Sequence, residues 1–296
     1  MTTPIDLSLL PAPQVVEPLD YEQILAEMVA DLRSRDPEFD ALVESDPAHK
    51  VLQVAAYREL LIRQRVNDSA RAVMLAYAVG SDLEHLAALY GLSRLLVDPG
   101  NPEAIPPVAP TFESDAALRR RVQMAPEGWT SAGSVGAYRF HATSSDPKVL
   151  DVSVQSPSPG EVLVTVLSTA GDGTPDASLL ATVSAALSDE TVRPLCDGVT
   201  VQGAQIVPYA IEAALTLYHG PDEEAVRLEA QAAALAYAAE THRLGRDVTL
   251  SGLYAALHRP GVQKVRLISP AAGIDIAPRQ ASWCNSLSVT VEGRDE

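Results

Sequence analysis

The sequence predicts an α+β, multidomain chain: an N-terminal helical bundle segment followed by two small α+β sandwich domains. Three stretches predict it. From about Ala48 to Val79 there is neither Gly nor Pro, and apolar residues recur at helical steps. Residues 97–112 hold five prolines, too many for a helix to continue. Beyond Val149, short runs rich in Val and Leu alternate with Gly- and Pro-containing turns. The length of 296 residues agrees with two or three domains, at ~100–200 residues each.

Composition narrows the function. With 47% hydrophobic residues the chain can build cores, but with 5% aromatic ones it must use Ala, Val and Leu. A net charge of -17 repels a phosphate backbone, so nucleic-acid binding is not expected, whereas docking on a basic partner is compatible. Cys196 and Cys284 stand too far apart in sequence to suggest a disulfide framework or a zinc ligand set. Two buried thiols in a reducing compartment are expected. Residues 1–6 show no secretory signal, and no apolar run approaches the ~20 residues of a membrane span. Synthesis and folding in the cytoplasm are expected.

Residues 1–20 read as a Pro-rich extended arm with Leu7, Leu9 and Leu10 to bury, on its own domain or on a neighbour. Residues 21–96 read as the helical domain. Its first helix is marked by Tyr21, Ile24, Leu25, Met28, Val29 and Leu32, capped by Asp20 and stopped by Asp36-Pro37. An acidic link over 37–47 follows. The next helix, from Ala48 to Val79, carries a stripe of Leu52, Ala55, Ile62, Val66, Ser69, Val73 and Ala76. It would be ~45 Å long at ~1.5 Å per residue. Either it packs on partner chains, or it belongs to an internal three-helix bundle. Gly80 stops it, and Ser81-Asp82-Leu83-Glu84 fits a capping box for a short helix that Gly91 ends.

Residues 97–112 read as a stiff extended linker. The central domain, 113–206, opens with a helix from Ser114 or Asp115 to Met124, then a loop over Gly128–Gly133 and a helix over Gly133–Thr143. Strands are expected over Val149–Val154, Val162–Leu167 and Val199–Ile206, with a helix from Pro175 to about Leu187. The last domain, 207–296, reads as a strand over Tyr209–Tyr218, then helices over Pro221–His242 and Thr249–Leu257. Strands over Val262–Ile268 and Ser286–Val291 follow, with a possible short one over Ile274–Ile276.

Catalytic patterns are sparse. Gly171-Asp172-Gly173 lacks the third glycine of a dinucleotide loop, and Gly128, Gly133 and Gly136 lack the Lys-Ser/Thr of a phosphate loop. His141 has no second ligand at metal spacing, so a structural hydrogen bond is expected of it. No cofactor is expected.

One ordered set of motifs resembles a known family. It runs Gly80-Ser81-Asp82-Leu83-Glu84-His85-Leu86-Ala87-Ala88-Leu89-Tyr90-Gly91-Leu92-Ser93-Arg94, Glu113-Ser114-Asp115, Leu118-Arg119-Arg120-Arg121, then Ser131-Ala132-Gly133-Ser134-Val135-Gly136-Ala137-Tyr138. Ser156-Pro157-Ser158-Pro159-Gly160, Gly171-Asp172-Gly173 and Arg193-Pro194-Leu195 follow. This resembles the J-like baseplate wedge proteins of contractile phage tails and R-type pyocins, relatives of the larger baseplate wedge protein of T-even phages. The resemblance covers most of the chain, least at residues 1–20 and the extreme C-terminus.

The resemblance implies a structural wedge subunit, not an enzyme. Its N-terminal helices would join a bundle with a second copy and another wedge subunit. Its later domains would link wedges into a ring around the hub, near sheath components, and rearrange on contraction. It would fold in the bacterial cytoplasm and end in a phage tail or tailocin particle. Leu25, Met28, Leu32, Leu52, Ile62, Val66 and Val73 are the implied bundle interface. Gly80, Asp82, Gly91, Gly133, Gly136, Tyr138, Arg139 and His141 are the implied fold motif. Residues 97–112 would act as a hinge. The alternatives are a small-molecule or peptide-binding module, and a hydrolase using Asp, His and Tyr near His141.

Overall fold

The computed structural model describes residues 5, 7, 10, 11, 13, 15, 17–39, 42–130, 133–220 and 222–295. Leu9 of the arm, Ser131 and Ala132 of the central motif, and Pro221 lie outside them. Contacts divide the chain into Met1–Arg94 with Ser114–Gln123, and Leu95–Glu113 with Met124–Glu296.

The first unit is helical. Helix α1 (Tyr21–Arg35) starts where Asp20 accepts a hydrogen bond from the Gln23 N–H at 3.1 Å. Helix α2 (Pro47–Ala72) starts with Pro in its first turn and Asp46 as its cap. It packs on α1 through Ile24, Leu25 and Ala56, flanked by Tyr21, Met28, Val29, Leu52 and Leu60. The expected run to Val79 is cut short: the chain turns through 74–78 instead. No breaker ends it. Ala78 leaves the helix to join Leu83, Ala87, Leu118 and Val122 in a second core. Those residues bring in α3 (Gly80–Ala88) and α4 (Asp115–Met124). Helix α4, expected in the central domain, thus packs its apolar side within the first unit. The capping box at Ser81–Glu84 does not form; Val79 occupies the cap without a side-chain bond, and Glu84 pairs with Arg94 instead.

The second unit opens at Leu95. Residues 97–112 are not an extended spacer but fold back on themselves. Strand β1 (Leu96–Asp98) pairs antiparallel with β2 (Thr111–Phe112), and Asn101 pairs with Val108 further out. None of the five prolines is one of the paired residues, as required of a residue with no N–H to donate. Glu113 N–H donates to Leu95 O at 2.9 Å, and Leu95 N–H to Glu113 Oε1 at 3.0 Å. The two ends of the excursion are therefore tied side by side.

Next come α5 (Val135–Ser145), β3 (Val149–Gln155), β4 (Glu161–Ser168), α6 (Ala177–Ser188) and β5 (Gly198–Gly203). The sheet order is β3-β4-β5, antiparallel then parallel. Tyr138 and Ala142 of α5 and Leu179, Val183 and Leu187 of α6 pack with Val152, Val164 and Val166 of the sheet.

Strand β6 (Gln205–Leu217) begins two residues after β5 ends, so Gln205 and Ile206 belong to it and not to the preceding strand. Then follow α7 (Glu223–Thr241), α8 (Leu250–Leu257), β7 (Val262–Ser269) and β8 (Gln280–Arg294), with sheet order β7-β6-β8. Strand β8 is far longer than the Ser286–Val291 expected, because its whole length pairs in parallel with β6. Ile274 forms only a bridge to Val248. Both sheets share one plan: the middle strand has an antiparallel neighbour on one side and a parallel one on the other.

Cys196 is exposed and Cys284 half-buried, against the expectation of two buried thiols. Cys196 falls in the loop before β5, where burial is not needed. Among the described residues no helix is long and apolar enough to cross a membrane.

Candidate assembly surface

Helix α2 has two unlike long faces. The face toward α1 holds Ala56, fully buried, and the buried amide of Asn67. Arg63 on the same side contacts Glu59, with Glu17 at 3.5 Å and Glu27 at 4.0 Å. Its hydrogen bond to Glu59 and the nearby carboxylates raise its pKa. The opposite face is apolar yet open. Val51 is 68% exposed, Val54 62%, Ile62 63% and Val66 47%. Val51 and Val54 are three residues apart and Ile62 and Val66 four, with about two turns between the pairs. An exposed Leu or Val alone is ordinary, but a contiguous stripe marks an interaction surface. Fully burying one such side chain is worth about 1.5–3 kcal/mol, so covering the stripe would recover several times that.

The segments that follow α2 and α3 are braced by charge. Arg94 reaches Glu84 at 2.8 Å and Asp115 at 2.7 Å. Burial lowers the Arg94 pKa, but hydrogen bonds to both carboxylates outweigh it and leave it raised. The Asp115 carboxyl is held below its usual range, first by the Gly80 N–H and then by Arg94. Arg119 of α4 donates to Leu75 O at 2.7 Å and Ala78 O at 2.5 Å. Arg121, also buried, donates to Ser93 O at 3.2 Å. Carbonyls of the segments that follow α2 and α3 are thus capped from α4.

The central motif is a packing device. Tyr138 is buried and donates from its hydroxyl to Asp197 Oδ2 at 2.7 Å; burial, then that carboxylate, push its pKa upward. Arg139 donates to Val152 O at 2.9 Å, tying α5 to β3. His141 stacks edge-on against Phe140 and hydrogen-bonds the Gly128 backbone. Burial lowers its pKa, with that bond opposing. Gly133 adopts φ +69, and a Cβ there would stand 2.7 Å from Pro194 Cγ. A Cβ on Gly128 would strike the Phe140 ring at 2.2 Å. A hydrolase site would need Asp, His and Tyr to converge, but Tyr138 takes Asp197 while His141 takes a backbone group.

Over 99% of its length this chain is 50% identical to baseplate protein J of Escherichia phage P2, itself covered over 99%. The chain belongs to the baseplate J-like family. Residues 44–101 match the baseplate J-like N-terminal domain, 130–203 the central domain and 209–291 the C-terminal domain. This is a family of structural baseplate proteins, so the chain stands among assembly components and not among enzymes. A cryo-EM structure of the anti-feeding prophage baseplate, six-fold symmetrised, aligns over 64% of this chain and 43% of that one. Its identity is 19% and its TM-score 0.42, too weak a likeness to decide anything further.

In this baseplate J-like chain the expected interface residues separate. Leu25 is buried between α1 and α2, and Met28 and Leu52 pack half-buried against it. Leu32 is half-buried. Ile62, Val66 and Val73 stay open, Val73 at 70%. Val51, Val54 and Leu61 belong with them and were missed, because periodicity finds a stripe without saying which of two faces the chain itself covers. Gly80 and Gly91 take φ +54 and +71 at the two ends of α3, while Asp82 is exposed.

Proposed function

We propose that this chain is a wedge subunit of a contractile tail baseplate, joined to a second copy and to another wedge subunit through the open face of α2. The observation that carries the reading is the two-sided α2: one face closes on α1, and the other presents Val51, Val54, Leu61, Ile62 and Val66 to solvent. Two helices of 15 and 26 residues share a core that, among the described residues, has three buried apolar side chains, Ile24, Leu25 and Ala56. Such a pair gains little by itself and more by adding a helix. The mixed-sheet domains then serve to link wedges into a ring around the hub that rearranges when the sheath contracts.

The test is complementation. A particle-producing strain lacking this gene is supplied with Ile62→Asp or with Ala26→Asp, which adds the same charge to the exposed side of α1. Loss of assembled tails with Ile62→Asp alone supports the reading. Normal tails with Ile62→Asp reject it.

A further inference from the structure

The Gly171-Asp172-Gly173 loop, which fits no cofactor motif, faces a side chain of the other mixed-sheet domain. Gly173 takes φ +97, and a Cβ there would stand 2.5 Å from Leu167 Cδ1 and 2.9 Å from the Nε2 of His242. Only a glycine fits between β4 and that ring. Asp172 shapes the loop by accepting the Thr174 N–H at 3.0 Å, and Gly173 O accepts the Ser168 N–H at 2.8 Å. His242 follows the end of α7 and is buried, and its Nδ1 donates to Ser282 O at 2.5 Å. A carbonyl only accepts, so Nδ1 carries the hydrogen and Nε2 is the nitrogen turned to the loop. Trp283 meets the same ring edge-on, with centroids 5.2 Å apart.

The residues after His242 extend the connection. Arg243 donates to Leu150 O at 3.2 Å, and the Leu244 N–H donates to Asp151 Oδ2 at 3.1 Å. Leu150 is the residue that the β3–β4 register skips, so a bulge presents its carbonyl to Arg243. Toward the C-terminal sheet, Leu244 bridges to Ala281, and the Gly245 N–H donates to Gln280 O at 3.0 Å. Residues 242–245 therefore lie between β3 of one sheet and the start of β8 of the other. Arg279 adds a second tie by donating to Gln155 Oε1 at 2.8 Å. The covalent link has no slack. Ala204 donates its N–H to Val166 O in the central sheet, and the next residue, Gln205, donates its N–H to Arg279 O, both at 2.9 Å.

Domains of one chain ordinarily shift against each other unless their interface holds them. An apolar seam would let them slide, whereas these hydrogen bonds form in one orientation alone. We infer that His242 in the Gly173 socket, with Arg243 and Leu244 clamped on β3, locks the central and C-terminal domains into one rigid lever. A displacement imposed on either sheet then passes to the other without bending at Ala204. The inference concerns the free chain and stands apart from the assembly reading.

Two spin labels on the full chain test it. One sits on Ala181→Cys of α6 and the other on Glu229→Cys of α7, both exposed helical positions, in a chain carrying Cys196→Ser and Cys284→Ser. Pulsed electron–electron double resonance should give one narrow distance distribution. His242→Ala with Arg243→Ala empties the socket and releases the Leu150 carbonyl, so the distribution should broaden and gain a population at a changed distance. Arg266→Ala removes an ion pair inside the C-terminal sheet and should leave the distribution as it was. A broad or two-peaked distribution before any seam substitution overturns the inference. So does a distribution that stays narrow in the double variant while circular dichroism shows it folded. Should that variant not fold, Asp151→Ala with Arg279→Ala takes its place and is judged by the same two outcomes. Tail assembly has no part in this readout, so the lock and the assembly reading fail separately.

Discussion

Asn67 and Glu17, fifty residues apart in sequence, hold each other by two opposed hydrogen bonds: Glu17 N–H donates to Asn67 Oδ1 at 2.8 Å, and Asn67 Nδ2 donates to Glu17 O at 2.9 Å. The side-chain amide thus copies the pairing of a neighbouring strand. Asn67 is buried, so α2 carries a polar group in its packed face whose cost is met by the backbone just before α1. Asn67→Ala should destabilise the helical unit by about 1–3 kcal/mol. Hydrogen exchange at Glu17 should rise well above that at Leu60. Unchanged protection at Glu17 would show that the clasp does not hold that segment.

The glycines of the central motif should differ in tolerance. Gly128→Ala places a methyl against Phe140, which is 9% exposed and part of the packed interior. Overpacking of that kind costs about 1–3 kcal/mol. Gly133→Ala adds the strain of a positive φ to a clash with Pro194. Gly136→Ala meets only the side chain of Glu127, which is exposed and free to swing away. Thermal melts should therefore rank Gly136→Ala nearest wild type, with the other two clearly lower. Equal losses at all three positions would refute this account.

The same contrast shows how far sequence reasoning reaches. Helix starts set by local chemistry were legible: Asp20 caps α1 as expected, and the helices capped by Ser134, Asp176 and Thr249 begin within two residues of where they were read. Ends set by distant partners were not. Nothing near Val73 says that α2 must stop, because the reason is Arg119 taking the carbonyls of Leu75 and Ala78 from over forty residues away. The hairpin at 96–112 was hidden for a related reason. Prolines announce a break in helix but not whether the chain runs on or returns, and here the return is fixed by Leu95 and Glu113. On α2 the helical period was plain, while the division of its apolar residues between α1 and solvent depends on where α1 lies.

Acid should loosen the first unit through Asp115. Its pKa is depressed in the fold, by the Gly80 N–H and by Arg94. An unfolded Asp titrates near ~3.9, so below that pH the unfolded chain binds the extra proton. The stabilisation is therefore complete above about pH 4 and is lost as pH falls through the folded value. Asp115→Asn keeps an acceptor for Gly80 but removes the charge facing Arg94. It should melt a few degrees below wild type at neutral pH, and the gap should close in acid. A gap constant from pH 7 to pH 3 would mean that the Asp115 charge contributes nothing.

His141 should act in a higher pH range. Burial lowers its pKa in the fold, opposed only in part by the Gly128 backbone. A free imidazole takes up its proton near ~6.5, so stability is full above that pH and declines as pH drops toward the folded value. His141→Gln, which cannot charge, should flatten the stability profile between pH 7 and pH 5 without raising stability at pH 8. An identical slope in both proteins would place the pH dependence elsewhere.

Excising the tip of the 96–112 hairpin tests what that excursion is for. Ile105 is fully exposed, and Val108 and Phe112 are each about half exposed, so the tip adds little to its own fold. The chain is already closed at Leu95 and Glu113, and shortening a closed loop saves entropy, with each halving of its length worth about 0.6 kcal/mol. Replacing residues 99–110 by Asn-Gly, which favours a tight hairpin turn, should leave the melting temperature within a few degrees of wild type. A true spacer would respond differently, because removing twelve residues from a taut connection would pull on α3 and α4 and unseat Leu83 from Leu118. Near-ultraviolet circular dichroism and the melt distinguish the two outcomes. A folded variant that no longer enters tails would identify the exposed tip as a contact surface, whereas a variant that unfolds would make the hairpin part of the core architecture.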